Sequence, residues 1–78
     1  MTNSERMSIY EWCDKNKGNI GVSRVVKNIT PLDRRYLRES LVCRRDYVGM
    51  EVLPKETPTA KTRSVRIVIT EPRNQQPQ

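Results

Sequence analysis

Apolar residues keep a helical spacing near the start of the chain. Ile9, Trp12 and Cys13 fall at i, i+3 and i+4, so a helix gathers them on one side. Ser8 and Glu11 supply the S-x-x-E pattern of a capping box, and Met7 and Trp12 stand where a hydrophobic staple would form. Gly18 suits the left-handed turn that ends a helix. The pattern predicts a first helix over about residues 9–17, with residues 1–7 frayed ahead of it. A short extended piece at residues 19–21 follows, with Ile20 turned inward.

The next apolar run, Val22, Val25, Val26 and Ile29, is spaced like the buried stripe of a short second helix over residues 23–29, with Ser23 as its cap. Its β-branched residues suit a strand equally well. A third helix then begins, either with Thr30 as cap and Pro31 at its first position or with Asp33 as cap, and runs to about residue 45. Leu37 and Leu41 lie one turn apart on its inner side, with Leu32 and Tyr36 on a neighbouring strip. At ~100° per residue, Arg34, Arg35 and Arg38 share an arc on the side away from these apolar residues, and Arg45 returns to it. Two strands follow, at residues 50–53 and 65–70, the second with Val65, Ile67 and Ile69 on one face. The polar stretch between them contains Pro54 and Pro58 and reads as a long, basic hairpin tip. Residues 71–78 are Pro/Gln-rich and are expected to be disordered. The folded domain is therefore expected to span residues 8–70.

Charge sharpens this picture. The 78-residue chain has 15 Lys and Arg against 9 Asp and Glu, a net charge of +6. Polyanions are natural partners for such a chain, because neutralising phosphates releases their condensed counterions. A net charge of this size also serves solubility alone, so the placement of the cations decides. Histidine is absent and the carboxylates are scattered among basic residues, which leaves neither a proton shuttle near pH 7 nor a paired acid and base. The chain is thus expected to be non-enzymatic and to take no cofactor or metal. Cys13 and Cys43 are read as buried, reduced thiols rather than a disulfide framework. No apolar run is long enough for a bilayer span or a signal peptide, so no membrane partner is expected and the cytoplasm, with the nucleoid if the source is bacterial or phage, is the expected compartment.

The order of helix, extended piece, helix, turn, helix, strand, basic loop and strand resembles that of winged helix-turn-helix DNA-binding proteins. Val25, Val26 and Ile29 match the apolar positions of the first motif helix. Leu32 matches the residue that plugs the turn, Asp33 the cap of the second motif helix, and Leu37 and Leu41 its inward positions. Thr30-Pro31 stands where the motif's turn glycine is expected. Tyr10-Glu11-Trp12 and the segment from Arg34 to Ser40 also look like stretches of phage excisionases, although the later part of the chain does not follow their wing. The resemblance implies an α+β winged helix, with three helices plus a small antiparallel β-hairpin wing.

That fold would place the third helix in the major groove of duplex DNA, with Arg34, Arg35 and Arg38 reaching base edges or phosphates, Glu39 accepting from cytosine, and Arg45 further along the arc. Lys55, Lys61 and Arg63 would reach the backbone or the adjacent minor groove. The expected activity is sequence-specific duplex binding by a transcriptional regulator or a recombination accessory factor. So small an interface calls for a homodimer or a cooperative array along the DNA. Two competing readings are a module that inhibits or recruits a host protein through its basic face, and an RNA-binding protein.

Overall fold

The computed structural model describes residues 1–72, so the expected disordered tail, apart from its first two residues, lies outside the described residues. Helix α1 spans Asn3–Lys15, strand β1 Ser23–Ile29, helix α2 Pro31–Ser40, the 3-10 turn η1 Val42–Arg44, strand β2 Val48–Val52 and strand β3 Arg63–Ile69. The fold is α+β, but the expected winged helix with three helices and a hairpin wing is not what the chain forms. The described residues form two α-helices over a three-stranded antiparallel sheet in the order β1-β3-β2.

The decisive change is at residues 23–29, where a strand replaces the expected second helix. Val65, Ile67 and Ile69 on β3 need a neighbour on each side, and β1 supplies one, pairing Val26 with Val65 and Arg24 with Ile67. The β-branched residues that make a poor helix suit this pleated surface. With the helix gone there is no helix-turn-helix. Val22 and Val25 are exposed instead of lining a helical stripe, and Leu32, expected to plug the turn, is 55% exposed. Between Val26 and Ile29 the register slips by a bulge, with Asn28 at φ 59°. Asparagine tolerates this left-handed conformation better than most residues.

Helix α1 also starts earlier than expected. Its capping box is Thr2 and Glu5, with the Thr2 hydroxyl accepting from Glu5 N–H and the Glu5 carboxylate accepting from Thr2 N–H. The stretch expected to be frayed therefore forms the opening turns. Both Thr2-x-x-Glu5 and Ser8-x-x-Glu11 carry the capping pattern; a tertiary contact favours the first. The Met1 ammonium donates to Asp33 at 2.9 Å, and Met1 packs against the core, drawing the first turn onto α2. Met7, the expected staple residue, is exposed, as is Ile20, expected to turn inward.

Ile9 and Cys13 of α1, Ile29 of β1, Leu37 of α2 and Leu41 at its C-terminal cap, Tyr47, and Val48, Val65, Ile67 and Ile69 of the sheet form one core. Trp12, Tyr10, Val26 and Met50 pack at its margin. Both cysteines are free; Cys13 is buried as expected, but Cys43 is exposed because the 3-10 turn faces it outward.

Candidate functional site

Helix α2 is set by its cap and by two leucines. Thr30 accepts from Asp33 N–H at 3.1 Å, and Pro31 occupies the first turn, where its missing N–H costs nothing. Leu37 and Leu41 are buried, and their burial fixes the helix's rotation. Arg34 is half-buried at the edge of the inner face, whereas Arg35, Arg38 and Glu39 are exposed. Tyr36, 46% exposed, joins Leu32 on the outer surface instead of packing inward. The α-helix stops at Ser40, where Leu41 takes φ −86° and ψ 0° and the chain tightens into η1. The expectation of one continuous helix to residue 45 is thereby corrected: Arg45 lies beyond η1 and does not extend the arc of Arg34, Arg35 and Arg38.

The loop between β2 and β3 is tied at its base. Leu53 N–H donates to the Ser64 carbonyl at 2.9 Å, and the Arg63 guanidinium donates to the Leu53 carbonyl at 2.9 Å. The loop then leans toward the start of α2, forming an open groove of about 690 Å³ lined by Arg34, Lys55, Lys61 and Arg63, with Pro31 and Pro58 among its walls. These four cations meet there with no carboxylate in the lining. Glu56, the acidic residue of this loop, lines an adjoining hollow with Asn28 and Ser64, and that hollow shares Arg63 and Ala60 with the groove.

The eight sequence-predicted site residues therefore divide. Arg34, Lys55, Lys61 and Arg63 share the loop groove. Arg35 and Glu39 lie one turn apart on the outer side of α2. Arg38 and Arg45 line a different hollow of about 180 Å³, floored by Leu41, Val42, Val48 and Met50. Among the described residues, the ion pairs are Met1–Asp33, Arg44–Asp14 and Arg66–Glu51, so none of the eight is neutralised by a salt bridge. The Asp33 carboxyl sits below its ordinary range, chiefly because the Met1 ammonium hydrogen-bonds it.

Sequence reasoning misses the walls of the groove. Pro31 reads along the chain only as a helix-start signal and Pro58 only as a loop breaker, yet both line the cleft. Two prolines in one basic loop restrict its backbone, a signal that the loop could hold a shape. Arg44 also escapes that reasoning. It grips Asp14 through two hydrogen bonds of 2.8 and 3.1 Å and stacks over the Tyr10 ring, while Tyr47 donates to the same carboxylate. Hydrogen bonding to Arg44, with Tyr47 adding to it, holds the Asp14 carboxyl below the usual range. Burial, and then the bond to Asp14, raises the Tyr47 phenol.

Among the described residues no group of three or more His, Cys, Asp or Glu could hold a metal ion, and no helix is long and apolar enough to cross a membrane. No protein family, curated protein or solved structure matches the chain.

Proposed function

We propose that the protein binds duplex DNA, with the loop groove taking backbone phosphates and the outer side of α2 facing the major groove. The observation that carries this reading is the convergence of Arg34, Lys55, Lys61 and Arg63 on one open cleft without a carboxylate among them. Four like charges held together repel one another, and a polyanion relieves that repulsion while releasing its own counterions. Arg35 and Glu39 stand next to this cleft on the same helix, free of the core. An arginine fork can grip guanine O6 and N7, and a glutamate can accept from cytosine N4. Leu32, exposed on the same helix, offers an apolar surface for a thymine methyl. This arrangement needs no helix-turn-helix: one exposed helix and one basic loop suffice to read a groove and hold the backbone. Regulation of transcription and assistance to recombination are the two uses that fit such a protein.

Fluorescence anisotropy with a short duplex at two salt concentrations tests the proposal. The double variant Lys55→Ala/Lys61→Ala is expected to bind more weakly, and its slope of log affinity against log salt should shrink by roughly 0.9 for each phosphate that is no longer neutralised. Unchanged affinity and slope would remove the groove from the interface. Arg35→Ala should instead relax discrimination between sequences, by about 1–3 kcal/mol at the base pair it reads.

A further inference from the structure

Arg38 and Arg45 need a different explanation, because they line a hollow beside the free edge of the sheet and not the loop groove. In the order β1-β3-β2, strand β2 is an edge. Its ladder with β3 is antiparallel, so alternate residues bond inward and the others direct their N–H and C=O groups outward. Tyr47 accepts from Thr70 N–H and Leu53 donates to Ser64, both toward β3. The alternation assigns Gly49 and Glu51 to the same side, in register with Val68 and Arg66. The backbone groups of Val48, Met50 and Val52 therefore point away from the sheet. Among the described residues no backbone or side-chain hydrogen bond outside the ladder reaches them.

An apolar hollow adjoins this edge. Leu41, Val42, Val48 and Met50 form its floor, and Arg38 and Arg45 stand on its rim without ion-pair partners among the described residues. Val42 is 52% exposed, which leaves apolar surface open beside the unpaired strand donors.

We infer that the β2 edge is a docking site for an extended segment of an acidic partner protein, which adds as a fourth strand to the sheet. Its backbone pairs with Val48, Met50 and Val52. One aliphatic side chain on its inner face fills the hollow, and carboxylates two residues to either side of it, on that same face, meet Arg38 and Arg45. Strand addition draws affinity from main-chain bonds and specificity from the pocket beneath alternate side chains. Charge selects the occupant. A second copy of this chain, paired edge to edge, would bring a second Arg38 and Arg45 toward the first pair, and each copy carries a net charge of +6. An acidic strand meets the same rim with attraction. This inference does not rest on DNA binding, since it uses neither the loop groove nor the outer side of α2.

The probe is a blocked peptide of about seven residues with Val at its centre, Glu two residues to either side of it and Thr elsewhere, titrated into the full chain and followed by amide shifts and hydrogen exchange. Saturable binding is expected, with slowed exchange at the Val48, Met50 and Val52 amides. Arg38→Glu/Arg45→Glu should weaken it roughly tenfold or more. The same peptide N-methylated at alternate positions should not bind, a control that leaves the protein untouched. The inference is overturned by any of four results: no saturable binding at millimolar peptide, equal binding of the N-methylated peptide or of one with Lys in place of both Glu, protection of the edge by self-association without peptide, or duplex DNA shifting residues 48–52 in place of the peptide.

Discussion

Where α1 meets η1, Arg44 is engaged: its guanidinium is bonded to Asp14 and stacked on Tyr10, and its side chain is only 22% exposed. Where the β2–β3 loop meets α2, Arg34, Lys55, Lys61 and Arg63 line one groove that has no carboxylate in its lining, and none of them is in a salt bridge among the described residues. The two regions draw on the same residue chemistry and use it in opposite ways. In the first, a cation closes the gap between elements far apart in sequence, and the surroundings keep it charged: the carboxylate it binds raises the Arg44 guanidinium further above its already high range. In the second, cations are gathered and left without carboxylate partners, which favours an incoming anion. Net charge alone does not distinguish the two. The presence or absence of a nearby acid does.

The largest effect should come from removing the support that orients both regions. Leu37→Ala empties a buried position under α2 and should cost about 2–5 kcal/mol by chemical denaturation. A loss well under 1 kcal/mol would mean that α2 is not anchored by this side chain. Next, reversing charge in the groove with Arg34→Glu/Lys55→Glu/Lys61→Glu should reduce duplex affinity by roughly two orders of magnitude at low salt while leaving the melting temperature close to that of the parent. A large drop in melting temperature would show that these cations hold the fold.

Arg44→Ala sharpens the comparison from the other side. Stability should fall by about 1 kcal/mol, the scale of a partly exposed ion pair with an added aromatic interaction, and duplex affinity should not change. The smallest effect concerns acid. The Asp14 carboxyl is depressed by Arg44 and then by Tyr47, so its contribution is present above the unfolded-state value of about 4 and is lost as pH falls through the lower folded-state value. Acid-unfolding curves of Asp14→Asn should therefore be shallower than those of the parent below pH of about 4. Identical curves would leave the tether without energetic weight.

Much of the molecule is legible in the order of its residues because the signals are local. Thr30-Pro31 marks the start of α2, and Leu37 and Leu41 mark its buried side; the β-branched run from Val65 to Ile69 marks β3. Failures occur where distant parts of the chain decide. Val25, Val26 and Ile29 fit a helix or a strand, and the need of β3 for a second neighbour settles it. Two capping words compete for α1, and the bond from Met1 to Asp33 chooses between them. Helical spacing puts Arg38 with Arg34 and Arg35, and puts Arg45 back on their arc. The stop at Ser40 and the turn through η1, neither of which periodicity encodes, bring Arg45 to Arg38 beside β2, while the loop cations gather at Arg34.

The bulge on β1 has a consequence for self-association. Lys27 and Asn28 interrupt that strand's outer side after only a few residues, so it makes a poor template for another chain. Filament growth through a sheet requires two receptive sides, one to receive a neighbour and one to offer to the next. With one side blunted, any edge-to-edge pairing of this protein ends after a single addition, and concentrated solutions should not form fibres.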